Sequence, residues 1–64
     1  MSLAQEMVRY RAKMRMSQGA LAQKCGVSLQ TINSVENETQ SPSKVTEAKI
    51  RLVIESEVNE DADN

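Results

Sequence analysis

Between Ser28 and Asn37 the chain reads SLQTINSVEN, and six of these ten side chains are amides or hydroxyls: Ser28, Gln30, Thr31, Asn33, Ser34 and Asn37. Groups of this kind donate and accept hydrogen bonds without taking charge, so their chemistry is recognition rather than acid–base work. Exposed helices ordinarily favour Glu and Lys, and a face made of neutral hydrogen-bonding groups therefore points to a surface that reads another surface. The remaining inventory excludes the common catalytic arrangements. The chain has no histidine and a single cysteine, Cys25, so a structural zinc site, a histidine-based centre and an internal disulfide cannot be assembled. Cys25 falls where a small buried hydrophobe would pack. Met1, Met7, Met14 and Met16 read as core fillers rather than soft-metal ligands, and no carboxylate stands in a setting that suggests a shifted pKa. The expectation is a protein that is not an enzyme and holds no metal and no cofactor.

The elements that must position this face are legible from caps and periodicity. Ser28 is a candidate N-cap for a helix over about 29–37, in which Ile32 and Val35 share the inward face. Gly26 ends the preceding segment, because glycine takes a positive φ without steric cost. That segment opens at Ser17, spans about 18–25, and carries Leu21, Ala22 and Cys25 as its apolar positions. Two short helices joined by a tight turn, the second showing a polar face, form a helix-turn-helix. This shape fits the DNA major groove, where base edges display donors and acceptors. Upstream, Leu3, Met7, Tyr10 and Met14 form one stripe of an amphipathic helix over about 2–14, capped by Ser2. Downstream, Pro42 interrupts the chain, and Ser43 caps a longer fourth helix over about 44–57. Its apolar residues Val45, Ala48, Ile50, Leu52, Val53, Ile54 and Val58 exceed one stripe. The surplus, placed around Ile50, Ile54 and Val58, predicts a dimer interface covered by a second copy.

The chain of 64 residues has no Phe, no Trp and one Tyr, so its small core must come from Leu, Ile, Val, Met and Ala. Without alternating β-branched runs, that composition predicts an all-α fold. Residues 1–58 read as one domain and 59–64, NEDADN, as an acidic tail expected to fray. The net charge of −1 is unevenly divided. Residues 1–44 hold six basic against three acidic side chains, and residues 45–64 hold two against six. A basic head suits a partner rich in phosphate. No secretory segment and no long apolar run is present, which reads as a cytoplasmic protein with no membrane partner.

Taken together, Ser17-Gln18, Leu21-Ala22, Gly26-Val27-Ser28, Ile32, Glu36 and Pro42 resemble the Cro/repressor-type, or lambda-repressor-like (XRE), helix-turn-helix proteins, over residues 3 to about 54. The resemblance implies a four-to-five-helix DNA-binding domain with a long C-terminal helix. It also implies a sequence-specific transcriptional regulator, a repressor by the family's commonest outcome, bound as a homodimer to a palindrome-like operator in double-stranded DNA. It assigns base reading to Ser28, Leu29, Gln30, Thr31, Asn33 and Ser34. Leu29 stands where many members carry a polar reader and could touch a thymine methyl instead. Phosphate contacts fall to Gln18 and Asn37, and the charge of Arg9, Lys13, Arg15, Lys24 and Lys44 suits the same role. Arg11 and Glu36 match the pair that fixes the family's first helix against the reading unit. Two features depart from the pattern. Glu38, Thr39 and Gln40 occupy a loop where members often carry glycine and then a basic residue, and Gly19 lies inside the second helix. The weak charge of that loop leaves a second possibility open, an antitoxin or anti-repressor whose partner is a protein.

Overall fold

The computed structural model describes residues 2–63, with side chains placed from Ser2 through Ser56. Four helices follow one another: α1 (Leu3–Met14), α2 (Gln18–Cys25), α3 (Leu29–Asn37) and α4 (Lys44–Asp63), with no strand among the described residues. The four begin in the same way. Ser2, Ser17, Ser28 and Ser43 each accept, through Oγ, the backbone N–H three residues on, from Gln5, Ala20, Thr31 and Thr46. Each bond satisfies one of the donors that a helix start leaves without an intrahelical acceptor. At Ser2 the side chain of Gln5 reciprocates by accepting the Ser2 N–H, completing a capping box.

The first three helices also end alike. Arg15, Gly26 and Glu38 take left-handed conformations, with φ of 56°, 73° and 59°. The following residue then donates back across the turn: Met16 N to Arg11 O at 2.9 Å, Val27 N to Ala22 O at 3.0 Å and Thr39 N to Ser34 O at 3.1 Å. Only the middle one of these three turns has the glycine that makes the geometry free of strain.

Met7, Tyr10, Leu21, Ala22, Cys25, Ile32, Val35, Ile50 and Ile54 close into one core, with Leu3, Met16, Val27 and Val53 packed around it. The expected α1 stripe holds at Met7 and Tyr10, with Leu3 packed against the core, and fails at Met14. Ala4 is buried while Leu3 is half-buried, and Met14 is 38% exposed. Met14 is the last residue of α1, and the chain turns away at Arg15.

α4 corrects two expectations. Its helical backbone passes the boundary anticipated near residue 57, since neither Gly nor Pro follows Pro42 to break it. Its register also overturns the expected dimer face. Ile50 is fully buried and Ile54 is 7% exposed, both consumed by the protomer's own core, so neither is available to a second copy. Val58 lies outside the residues whose side chains are described. A count of apolar residues could show that α4 had more than one stripe but not which stripe turned inward. The outward one carries Val45 and Leu52, at 67% and 72% exposure. At the rim of this packing Arg51 bridges Glu47 at 2.9 Å on its own helix and Glu6 of α1 at 3.6 Å.

Tyr10 supplies the largest core side chain, yet its buried hydroxyl has no hydrogen-bond partner among the described residues. An unmatched buried hydroxyl carries its full desolvation cost. Tyr10→Phe should therefore raise stability by ~1 kcal/mol in urea or thermal melts, and a clear destabilisation would show that the hydroxyl is satisfied in solution.

Candidate nucleic-acid interface

The turn Gly26–Val27–Ser28 sets α3 against α2, and Ile32 and Val35 hold its inner face in the core. With about 100° of rotation per residue, Gln30, Asn33, Ser34 and Asn37 then fall on the opposite side. Gln30, Asn33 and Asn37 are exposed, as is Leu29 at 53%. Thr31 and Ser34 are half-buried. They line a polar cleft of about 180 Å³ shared with Gln40, Ser41, Pro42, Ser43 and Thr46, at the start of α4.

A ladder of hydrogen bonds anchors α3 from behind. Arg11 of α1 grips Glu36 through one edge of its guanidinium, Nε to Oε2 at 2.7 Å and Nη2 to Oε1 at 2.8 Å, and its Nη1 donates to the Met16 carbonyl at 3.1 Å. Gln18, the first residue of α2, donates to Glu36 Oε1 at 3.0 Å and accepts from Asn33 Nδ2 at 3.3 Å. Asn33 in turn accepts from Asn37 Nδ2 at 3.0 Å. Five side chains from three helices thus form one connected chain.

The expected site residues separate accordingly. Gln18, Asn33 and Asn37 come together, and the Arg11–Glu36 pair forms as anticipated. Ser28 is occupied by its capping bond and by a 2.8 Å contact to the Thr31 hydroxyl. Arg9 and Lys13 lie on α1, Arg15 at its end, Lys24 in the last turn of α2 and Lys44 at the first position of α4, all exposed. Arg9 lines an open hollow with Ala4, Gln5, Val8, Glu36 and Glu38. Among the described residues no group of three or more His, Cys, Asp or Glu could hold a metal ion, and burial pushes the Cys25 thiol up, with Lys24 opposing.

A family model described as helix-turn-helix matches residues 8–50, from the middle of α1 to the middle of α4. The chain belongs to the Cro/repressor-type helix-turn-helix family. Neither a curated protein nor a solved structure matches it. Membership makes it a DNA-binding regulator of the XRE type, and α3 is the helix in the recognition position. No helix among the described residues is long and apolar enough to cross a membrane.

Two residues of this helix-turn-helix protein were not evident from sequence in their full role. Glu36 departs from the expectation that no carboxylate is perturbed. Burial pushes its carboxyl up, but hydrogen bonds from Arg11 and Gln18 and the Arg11 charge outweigh that and hold it below its ordinary value of 4.5. The partners that do this lie 25 and 18 residues away, beyond the reach of a local reading. Glu38 sits in the left-handed conformation where family members often carry glycine, and so it bears a strain that its side chain does not relieve.

Both observations have measurable consequences. With only 4% of its side chain exposed, Glu36 is close to a buried partner, and Arg11→Ala should cost ~3 kcal/mol at neutral pH by leaving it unpaired. Because the folded-state pKa of Glu36 is depressed, its stabilisation is present above the ordinary value of 4.5 and is lost as pH falls through the lower value. Urea melts at neutral and acid pH should show the wild type losing more stability on acidification than Glu36→Gln, and equal losses would contradict the assignment. Separately, Glu38→Gly should raise stability by ~1 kcal/mol, whereas Glu38→Ala, which keeps the Cβ, should gain far less.

Proposed function

We propose that this protein is a sequence-specific transcriptional repressor, cytoplasmic and without a cofactor, that binds a palindrome-like operator in double-stranded DNA as a homodimer. The observation that carries the reading is a recognition helix that is neutral and hydrogen-bonding on its outer side, packed on its inner side by Ile32 and Val35 and fixed along its flank by the Arg11–Glu36–Gln18–Asn33 ladder. A reader held rigid before binding loses little conformational freedom on docking. In this reading α3 enters the major groove by its N-terminal end. Gln30, exposed in the first turn, bonds an adenine edge in bidentate fashion. Leu29, Thr31 and Ser34 complete the reading surface, and Ser28 and Asn33 set its geometry while remaining close to the bases.

Phosphate contacts come from Gln18 and Asn37 beside the groove and from Arg9, Lys13, Arg15, Lys24 and Lys44 around it. Such contacts supply affinity without carrying sequence information. Two-fold pairing of protomers would place half-sites about one helical turn apart, ~34 Å. With Ile50 and Ile54 in the protomer core, Val45 and Leu52 are the large apolar side chains that α4 leaves exposed among the described residues, and these would face a second copy.

Selection of random duplexes with the purified protein at two salt concentrations tests the proposal. The expected result is a symmetric enriched site whose affinity falls steeply with salt. Binding indifferent to both sequence and salt would remove DNA reading, and an asymmetric site would remove the homodimer. On the enriched site, Gln30→Ala should weaken binding by ~1–3 kcal/mol and relax preference at one base position. Unchanged selectivity in that variant would take Gln30 off the reading surface.

A further inference from the structure

The two ends of α4 carry opposite charge. Residues 44–51 hold Lys44, Lys49 and Arg51 against Glu47 alone, whereas residues 55–63 hold five acidic side chains and no basic one, on a helix that runs through Asp63. Between these ends an apolar strip faces solvent. Val45 and Leu52 are 67% and 72% exposed. Ala48 and Ser56, one turn to either side of Leu52, are also exposed, and both are small enough to let a second helix approach Leu52 closely.

The strip is edged by two charges of opposite sign. With about 100° of rotation per residue, Lys49 and Glu55 stand about 60° to either side of Leu52, one before it and one after. Lys49 is exposed and enters no ion pair among the described residues. Glu55 keeps 62% of its side chain in solvent and comes only within 3.9 Å of Arg51, which already holds Glu47 at 2.9 Å. The protomer's own fold therefore leaves both charges available at the margin of an uncovered apolar face.

Two copies can lay these strips together in one of two orientations. In a parallel pair Lys49 meets Lys49 and Glu55 meets Glu55. In an antiparallel pair centred on Leu52, each Lys49 lies level with the Glu55 of the other copy. Like charges brought face to face oppose a pairing and opposite charges fix its register. The helix dipoles also favour the antiparallel arrangement, since each positive end then lies beside a negative one. We propose that α4 packs antiparallel on α4 of a second copy, crossing at Leu52, with Lys49 of each copy paired to Glu55 of the other. This inference rests on the homodimer proposed above and goes beyond it by fixing the orientation and register of the two copies. The relative placement of the two reading helices follows from that register.

Cysteine trapping in the full-length protein reads the crossing. A residue close to the two-fold axis meets its own counterpart, and one far along the helix does not. Oxidised with diamide, Leu52→Cys should form an intermolecular disulfide and Val45→Cys should not, whereas in a parallel pair both would. The wild type, whose one thiol is the buried Cys25, is the blank. Charge reversal followed by sedimentation equilibrium is the second measurement. Lys49→Glu and Glu55→Lys should each weaken self-association about tenfold, because each change acts twice across the axis, and the double variant should restore it. These positions are exposed, so the variants should melt as the wild type does.

Three results would overturn the crossing while leaving a homodimer standing. They are trapping of Val45→Cys as readily as Leu52→Cys, no trapping of Leu52→Cys in a protein that sediments as a dimer, and a double charge reversal that associates no better than either single one. A protein that sediments as a monomer at every concentration and enriches an asymmetric site would overturn both the crossing and the homodimer.

Discussion

The bidentate pair between Arg11 and Glu36 is the constraint on which the recognition unit depends. It joins the last turn of α1 to the last turn of α3, across 25 residues of sequence. The third donor of Arg11 closes on the Met16 carbonyl, in the linker just before α2. One guanidinium thereby fixes the linker and the far end of the reading helix together. A lysine could not do this, because its ammonium lacks the planar fork that engages two carboxylate oxygens while sparing a further N–H. Gln18 then extends the constraint to the front of α2, using the Glu36 oxygen as its own acceptor. The ladder is polar, but its cost is moderated by satisfaction. The Glu36 carboxylate is almost wholly buried and receives three donors.

The hydrophobic core and this ladder act on different faces of the same short helix. Ile32 and Val35 resist separation of α3 from the body, but apolar packing alone tolerates small rotations because it is non-directional. Hydrogen bonds to Glu36 and Asn33 have preferred directions and fix the rotation of α3 about its axis. That rotation decides which side chains project outward. In a domain this small, where core burial leaves a narrow margin, directionality must come from such bonds.

The boundaries of the first three helices were legible because each is marked chemically at its start by a serine. Pro42 likewise marked the break before α4. Gly26 was legible as a left-handed terminator because glycine advertises that conformation. Arg15 and Glu38 adopt the same conformation and close the same pair of backbone bonds, yet residue type gave no sign of it. The resemblance drew attention to Glu38 only as a missing glycine. The Arg11–Glu36 pair also came from the resemblance, and nothing local in the sequence implied it. For α4 the periodicity was ambiguous, because Ile50 and Ile54 on one side and Val45 and Leu52 on the other are equally apolar. Packing against α1 and α2 made the choice. Asn33 shows the same limit at the candidate site. As a polar residue on the outer face of α3 it looks identical in sequence to Gln30. Its amide meets Gln18, 15 residues earlier, and only the folded geometry separates a residue that holds the helix from one that reaches away from it.

That separation explains how a chain with net charge −1 can suit a phosphate-rich partner. Its reading helix is nearly free of charge on the outer side, so long-range attraction cannot come from the reader itself. The cations sit on α1, at the ends of α1 and α2 and at the start of α4, while the excess of acid lies beyond residue 45. In the proposed function, attraction and discrimination therefore fall to different elements. Charge placed around the reader steers approach and weakens with salt, whereas amide and hydroxyl contacts act at short range and depend on direction. Placing a lysine or arginine on the outer side of α3 would raise affinity for any duplex. The neutrality of the face and the rigidity of the ladder behind it serve the same end. A reader that adds little non-specific attraction must be positioned accurately for its few directional contacts to form.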